Sequence, residues 1–423
     1  MKRYLGNSLF VSLLVAGCGG ASKPPETAVP AEGGSPAGQW STGPEEKKVE
    51  PIAALPVEPA KAPPAPPAVN PFAGAKFYVN PDYTTKVEAT AKEVPEIAPQ
   101  IKKLGKQPTA MWLESLGALK HLPRWLEDAG KQEKAAGKPL VPVFLVYNLP
   151  NRDCSAKSSA GELTTENDGE KRYRSEFIDK IAEQFAAHPK QKIVAILEPD
   201  SLPNIATNLD KEKCALSEKV YRNSVAYAIS KLSLPNVSLY LDAAHAGWLG
   251  WDSNRAKIAQ IFKEVLDAAG GPDRIRGFAT NVANYTSLDG EANKKLESSN
   301  PCPNEHLYVE KLAASLEAVG IKNKGFLIDT SRNGKDGIRV KWGNWCNVKD
   351  AGLGERPKIN PKPLIDAYLW VKPPGESDGT AERGAPRFDE SCVSEDSDPA
   401  APQAGEWFKS YFVGLVKNAQ PPL

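Results

Sequence analysis

The sequence lacks the signals of several large functional classes. Its 53 Lys and Arg residues nearly balance its 52 Asp and Glu residues, so the net charge is +1 and no basic block stands out. Nucleic acid is therefore not an expected partner. The sequence also contains no Walker loop and no GxGxxG after a predicted strand. Nothing indicates a nucleotide site.

Histidine is scarce as well. The four histidines are scattered, and neither an HExxH motif nor a paired-cysteine spacing is present. Those are the spacings that bring zinc ligands together. We therefore expect neither a metal centre nor a cofactor.

The first 18 residues carry an export signal. Lys2 and Arg3 precede an apolar stretch that is too short to span a bilayer. The stretch ends in a Val-Ala-Gly-Cys sequence that resembles a bacterial lipobox, in which the cysteine is acylated after cleavage. Residues 1–18 are thus predicted to be a lipoprotein signal with Cys18 as the lipidation site, anchoring the protein to the cell envelope or cell surface. The alternative is an ordinary signal peptide with an incidental cysteine.

Residues 19–69 are rich in Pro, Ala, Gly and Glu and have too few large apolar residues to bury a core. This composition predicts a disordered tether, at most ~3 Å per residue where it is polyproline-like. Residues 70–423 remain, and they are enough for one large domain.

Excluding Cys18, the sequence has five cysteines, and an exported protein can keep disulfides. Because five is odd, at least one thiol is left over or pairs elsewhere. The spacing alone does not give the connectivity.

From about Pro71 onward, strand-like and helix-like segments alternate. Runs such as "KIVAILEPD" and "VSLYLDAAH" read as buried strands, whereas "YRSEFIDKIAEQFAAH" and "AKIAQIFKEVLDAAGG" have helical spacing. The alternation predicts an α/β fold with a parallel sheet.

Polar residues follow these predicted strands where each one ends. In chain order they are Arg152 and Asp153, Glu198 and Asp200, Asp242 and His245, Asn281 and Asn284, Asp329, and then Lys372, Glu376 and Asp378. The carboxyl ends of parallel strands in a β/α barrel share one face, so these groups should converge. Tryptophans 248, 251 and 345 follow the same strand ends.

Carboxylates and flat aromatic rings on one face suit a neutral, polyhydroxylated substrate, and two carboxyl groups can hydrolyse a glycoside without a cofactor. Asp242 and Asp329 could equally be structural. Trp248 and Trp251 flank glycines in a loop-like segment, which favours exposure. Trp112 lies within a predicted first strand, which favours a core position.

Six segments resemble the family 6 glycoside hydrolases, the inverting cellulases. They are "YNLPNRDCSAKSSAGE", "ILEPDSLPN", "YLDAAHAGWLGW", "GFATNVANY", "WGNWCNV" and "WVKPPGESDGT". The similarity runs from about Asn70 to Leu423, with the segments in the family's order. The resemblance implies a distorted, incomplete β/α barrel of seven parallel strands with loops roofing the active site.

The resemblance also implies catalytic roles. Asp200 is similar to the general acid, and Asp153 to the aspartate that keeps the pKa of that acid high. Asp378 matches the proposed catalytic base, although a base acting through a chain of waters is the alternative. Tyr147 is similar to the tyrosine that crowds the reacting sugar, and Ser159 to the serine that touches the catalytic water.

Substrate contacts are implied on both sides of the scissile bond. Trp248 resembles the platform on the leaving-group side, helped by His245 and Asn284; His245 taken alone is more typical of a hydrogen-bonding residue than of an acid or base. The contacts implied on the non-reducing side are Trp345, Lys372, Glu376, Asn80 and Tyr78, the last standing where fungal cellobiohydrolases carry a tryptophan.

The family resemblance implies disulfides Cys154–Cys214 and Cys346–Cys392, which leaves Cys302 unpaired. Long segments follow "NRDC" and "GESDGT", and these disulfides would staple them over the cleft. The expected function is therefore hydrolysis of cellulose by a monomer that releases cellobiose from non-reducing ends. The alternatives are an endoglucanase of the same family with an open cleft, and a glucan-binding surface lipoprotein without activity.

Overall fold

The structure is a computed structural model that describes residues 69–423. The predicted lipoprotein signal with Cys18, and all of the predicted tether except its last residue, lie outside the described residues.

An eight-stranded sheet forms the centre of the domain, in the order β2-β4-β5-β6-β7-β8-β10-β9, and a two-stranded sheet pairs β1 with β3. Seven strands of the large sheet run parallel, and β9 pairs antiparallel with β10 at one edge. The strands are β1 Lys76–Phe77, β2 Met111–Leu113, β3 Leu140–Val141, β4 Val143–Val146, β5 Ile193–Leu197, β6 Val237–Asp242, β7 Gly277–Thr280, β8 Gly325–Asp329, β9 Lys358–Lys362 and β10 Ile365–Leu369.

The central strands are buried on both faces. Every residue of β5 and of β6 is buried, which is why these runs show no alternation in the sequence. The exposed pattern of β9 differs, with alternate residues open to solvent. Such a pattern suits the edge of a sheet, where one side of the strand has no neighbour.

Helices connect the consecutive parallel strands from β2 to β8, whereas the segment between β8 and β10 contains β9 and no helix. The helices are α1 Pro81–Glu93, α2 Ala98–Leu104, α3 Leu122–Ala136, α4 Gly169–Arg172, α5 Asp179–Ala186, α6 Ser201–Thr207, α7 Glu212–Leu232, α8 Ala246–Leu249, α9 Asp252–Ala268, α10 Asn293–Leu296, α11 Glu305–Ala318 and α12 Lys409–Lys417. The helix predicted around residues 173–188 begins with a π-helical turn, Tyr173–Ile178, before α5.

The sheet curls so that its first and last parallel strands approach without forming a ladder. At this seam the Ala110 N–H donates to the Trp370 carbonyl over 3.1 Å. The Trp112 indole donates to the Val371 carbonyl over 2.9 Å, across 259 residues of sequence. The predicted distorted, incomplete barrel of seven parallel strands is therefore confirmed. In the part of the chain from residue 69 onward, no helix has the length and apolarity that a membrane crossing requires.

Candidate active site

Two adjoining cavities lie at the carboxyl ends of the parallel strands. One has a volume of about 450 Å³ and the other of about 590 Å³. Four residues line both cavities and so mark the place where they meet: Trp112, Tyr147, Ser159 and Lys372. The two cavities form one cleft, as expected for strand ends that converge.

Most of the predicted site residues line this cleft. The first cavity contains Asp153, Asp200, Asp378, His245, Trp248, Asn284 and Trp345. The second contains Asn80 and Glu376. Residues far apart in the sequence are thus brought together, and a substrate chain lying along the cleft would pass Tyr147 and Lys372.

The backbone at the strand ends is held in an uncommon conformation. Non-glycine residues with left-handed φ follow β4, β5, β6 and β7, namely Asn151, Asp153, Glu198, Asp200, Ala244, Asn281 and Ala283. This conformation is costly for a residue with a Cβ atom, and its concentration beside a cleft is typical of functional sites.

Asp200 stands at the N-terminus of α6, and its backbone N–H donates to Oδ2 of Asp242 over 3.1 Å. Burial raises the pKa of Asp200 well above its usual range, and the negative charges of Asp242 and Asp153 add to this effect. A raised pKa favours the protonated form of this carboxyl group. Asp200 can therefore donate a proton to a leaving oxygen.

Asp153 lies in the loop after β4, at the wall of the same cavity. Its Oδ2 accepts the backbone N–H of Ser159 over 3.1 Å. Burial raises the pKa of Asp153, while the hydrogen bond from Ser159 opposes that rise. A carboxylate here would favour positive charge on a sugar ring held nearby.

Asp378 is in a different electrostatic state. Its Oδ2 accepts three hydrogen bonds, from Arg332 at 2.8 Å, the Tyr285 hydroxyl at 2.8 Å and the Asn347 N–H at 3.0 Å. Its Oδ1 lies 3.7 Å from Nζ of Lys372. Burial acts to raise the pKa of Asp378, but these charges and hydrogen bonds outweigh it, and the pKa falls below its usual value. The group is ionised, and only Oδ1 has room to receive a proton from water.

Arg152 fixes the floor of the cleft beside Asp153. Its guanidinium donates to the carbonyl oxygens of Tyr147, Glu114 and Ser159. The guanidinium carbon also lies 4.3 Å from the centre of the Tyr147 ring. Tyr147 is thus held at the junction of the two cavities.

The leaving-group side is built around His245. Its Nε2 accepts from the Asn284 amide at 3.0 Å, and the Trp248 indole donates to Thr207 at 2.7 Å. Burial lowers the pKa of His245 to about 3, and the positive charge of Arg339 contributes. The neutral ring agrees with a hydrogen-bonding residue rather than an acid. Trp345 lines this cavity as well, and its place on the non-reducing side stays a prediction.

The second cavity differs from prediction at Tyr78. The Tyr78 side chain is 2% exposed, belongs to the hydrophobic core and donates to Asp128 over 3.0 Å. It lines neither cavity, so the prediction that it contacts substrate is wrong. Asn80 does line the cavity, but its side chain also caps α1 by accepting the Asp82 N–H.

Trp112 was expected in the core, and this expectation is also wrong. Met111 and Leu113 point into the core, whereas Trp112 faces the cleft and lines both cavities. Nζ of Lys372 lies 5.0 Å from the centre of its ring. The alternation of this short strand is the signal that could have placed Trp112 on the cleft side.

Glu376 forms an ion pair with Lys86 of α1 at 2.8 Å. Sequence reasoning missed Lys86, because no pattern in α1 indicates that this helix borders the cleft. It also missed Arg332, the buried partner of Asp378, which no motif marked.

Three other strand-end carboxylates have structural roles. Asp329 accepts backbone N–H groups from Ala283, Ser331 and Lys372. Glu198 accepts the Asn148 and Leu149 N–H groups and the Tyr173 hydroxyl. Asp242 accepts from Asp200 and Ala244. Each joins neighbouring strand ends.

Two disulfides hold the long loops that border the cleft. Cys154–Cys214 ties the loop after β4 to α7, and Cys346–Cys392 ties the segment after Thr380 to the loop before β9. Within residues 69–423, Cys302 is the cysteine left outside a disulfide, and it is buried. The loops pack closely, since a Cβ atom on Gly379 would lie 2.7 Å from Cβ of Ser158.

The fold and this cleft together define a glycoside hydrolase. The sequence model of the glycosyl hydrolases family 6 matches residues 72–419. The chain therefore belongs to glycoside hydrolase family 6.

Known relatives agree with this assignment. Exoglucanase 3 of Agaricus bisporus is 41% identical over 359 residues, covering 84% of this chain and 80% of that protein. The 1,4-beta-D-glucan cellobiohydrolase C of Emericella nidulans is 40% identical over 360 residues, covering 83% and 79%. The solved structure of cellobiohydrolase II from Humicola insolens, in complex with glucose and cellotetraose, aligns with a TM-score of 0.81 at 36% identity, covering 84% of this chain and 100% of that one.

Proposed function

We propose that this protein hydrolyses β-1,4-glucosidic bonds in cellulose and cello-oligosaccharides, with inversion at the anomeric carbon and release of cellobiose from non-reducing ends. The observation that carries the proposal is the buried carboxyl of Asp200, whose pKa is raised, within a long cleft lined by Trp112, Trp248 and Trp345. Family membership and the exoglucanase and cellobiohydrolase relatives support the same activity.

In the proposed reaction, Asp200 transfers its proton to the glycosidic oxygen as the bond to the anomeric carbon breaks. Asp153 stabilises the positive charge that develops on the ring. Water attacks the anomeric carbon from the opposite face of the sugar, which inverts the configuration, and it loses one proton as the new bond forms. Asp378 is the proposed acceptor of that proton. The proton reaches Oδ1 of Asp378 through water, because Oδ2 already accepts three hydrogen bonds.

Release of cellobiose from a chain end is favoured by the two stapled loops. Disulfides hold both loops, and the loops pack against each other at Ser158 and Gly379. Because the two loops meet over the cleft, a glucan chain enters the cleft mainly by its end. An endoglucanase with an open cleft is the second candidate. The presence of Asp153, Asp200 and Asp378 in one cleft argues against a protein that only binds glucan.

Product analysis tests the activity directly. Cellohexaose and amorphous cellulose should yield mostly cellobiose from the first minutes, and NMR should show the α anomer before mutarotation. Early β product would contradict inversion. A rapid fall in the viscosity of carboxymethyl cellulose, with mixed oligosaccharides from the start, would favour the endoglucanase.

Export and lipid anchoring through Cys18 form a separate proposal. It is supported by the sequence of residues 1–18 alone. In this proposal the catalytic domain is a monomer, and its tether lets it move away from the membrane surface. Membrane fractionation of wild type and Cys18→Ser tests the anchor. Release of the variant into the soluble exported fraction is expected, and unchanged partitioning would contradict it. A single acyl chain binds membranes weakly, so more than one chain on Cys18 is implied.

A further inference from the structure

The two loops over the cleft are joined by one buried carboxylate, Asp389. This residue lies on the loop after Thr380 and is 5% exposed. Its Oδ2 accepts the backbone N–H groups of Lys157 at 2.6 Å and Ser158 at 3.2 Å, both on the loop after β4. Its Oδ1 accepts the N–H of Ser391 at 2.8 Å and so caps the short 3₁₀ helix Glu390–Val393. One side chain therefore serves two loops.

The contact continues directly into the catalytic centre. The next N–H group along the chain, that of Ser159, donates to Asp153 at 3.1 Å. Three consecutive backbone donors are thus divided between two carboxylates, Asp389 from the loop after Thr380 and Asp153 from the donors' own loop. The place of Ser159 beside Asp153 is held by the contact of its carbonyl with Arg152 and by the turn that precedes it, residues 156–158.

We propose that Asp389 is a positioning residue that latches the loop after β4 closed over the cleft and thereby holds Ser159 against Asp153. The role of the latch in catalysis rests on the proposed glucan hydrolysis. Hydrogen bonds to a charged acceptor are stronger than those to a neutral one, and these are shielded from water. The disulfide at Cys392, three residues after Asp389, keeps the roof side of the latch in place.

The closeness of the two loops makes a single carboxylate effective. Ser158 is completely buried, and Gly379 of the roof has no space for a Cβ atom between Ser158 and the Cys392 sulfur. Burial opposes ionisation of Asp389, but the N–H groups of Lys157 and Ser391 outweigh it and lower its pKa. The acceptor is therefore charged at the pH at which the enzyme would work.

Asp389→Ser separates the latch from the helix cap. Serine can still cap the 3₁₀ helix, because its hydroxyl oxygen accepts a nearby N–H group. Its side chain is too short to reach the other loop as well. Glu390→Gln is the matched control, because this substitution removes the same charge one residue away. The Glu390 side chain is 73% exposed and contacts Arg383 on its own loop. Asp389→Asn, which keeps one acceptor oxygen, serves if the serine variant folds poorly.

Trypsin provides a structural readout, because Lys157 is within the latched turn. Cleavage after Lys157, followed by mass spectrometry of the reduced protein, should be roughly 10- to 100-fold faster in Asp389→Ser than in wild type, since cleavage follows the open population. Asp389→Asn should show a smaller increase in the same direction. Glu390→Gln should behave as wild type.

Kinetics on cellohexaose and carboxymethyl cellulose complete the test. Misplacing Ser159 and Asp153 should lower kcat of Asp389→Ser roughly 10-fold with a smaller change in KM, and viscosity should fall further for each reducing end produced. If Lys157 cleavage and kcat of both Asp389 variants equal those of Glu390→Gln, the latch is overturned. If wild type cleaves no β-1,4-glucan, the proposed function fails instead, and the trypsin result still decides whether the latch exists.

Discussion

At the scale of single residues, the cleft keeps three carboxyl groups in different electrostatic states. Burial raises the pKa values of Asp200 and Asp153, and nearby negative charges add to the rise. Asp378 has a lowered pKa because Arg332 and Lys372 outweigh its burial. Groups pushed apart in this way can take different parts in one proton transfer.

Asp200→Ala should remove the proton donor. Hydrolysis of cello-oligosaccharides should fall by roughly 100- to 10,000-fold, the usual contribution of a general acid. Cellobiosides with a very good leaving group need less protonation and should lose much less. Initial rates on both substrate types provide the measurement, and an equal loss on both would exclude the assigned role.

Asp242→Asn should change the pH dependence. The amide keeps an oxygen for the Asp200 N–H but removes a negative charge that raises the pKa of Asp200. The pKa of Asp200 should then fall, and activity is lost as pH rises through that pKa. The alkaline limb of the kcat/KM profile should therefore move down by about one pH unit. Asp273→Asn, whose side chain is 91% exposed, is the control and should leave the profile in place.

Asp378→Ala should destabilise the protein as well as inactivate it. Arg332 is 0% exposed and would keep its charge without a partner. Removing one member of a buried ion pair costs about 3–5 kcal/mol, so the urea midpoint should drop. Adding Arg332→Met should restore part of the stability. If Asp378→Ala alone had the urea midpoint of wild type, the ion pair would contribute nothing to stability.

The sequence predicted Asp153, Asp200 and Asp378 because each lies at a strand end within a recognisable motif. It misassigned Tyr78, because the two-residue strand β1 that precedes it is too short to show which face points to the core. It also misassigned Trp112, where only the brief alternation of β2 marks the cleft side. Lys86 and Arg332 reach the site from segments without a motif, so their positions depend on tertiary packing.

At the scale of elements, the central strands were predictable because full burial leaves continuous apolar runs, as in β5 and β6. The edge strand β9 was not predicted. Its segment "KINPK" has a proline and two lysines, and it is a strand only because β10 offers a partner. The roles of the loops depend equally on contacts that the local sequence does not specify.

Replacing both Cys346 and Cys392 by serine should release the roof loop. The disulfide closes a separation of 46 residues, so its loss should lower the free energy of unfolding by roughly 2–4 kcal/mol. The cleft should open more often, and viscosity of carboxymethyl cellulose should fall further for each bond cut. Cys302→Ala removes a buried sulfur without breaking a disulfide and is the control. Unchanged viscosity behaviour would mean that the roof does not restrict access.

At the scale of the whole molecule, the cleft crosses the seam of the barrel. Trp112 comes from the first parallel strand, and Lys372 follows the last one. Their side chains meet where the two cavities join. The substrate site is therefore a property of the complete domain, because no shorter part of the chain contains both sides of its floor.

The seam also sets an order for folding. Strands β4 to β8 each pair with a neighbour that is close in sequence, whereas closing the seam joins residues 259 apart. Each doubling of a closed loop costs about 0.6 kcal/mol in chain entropy, so local pairings should form first and the seam last. During refolding with disulfides intact, circular dichroism should recover before hydrolytic activity does. Simultaneous recovery would show that the seam forms together with the rest of the sheet, and the enzyme would then become active in one step rather than at the final closure of its barrel.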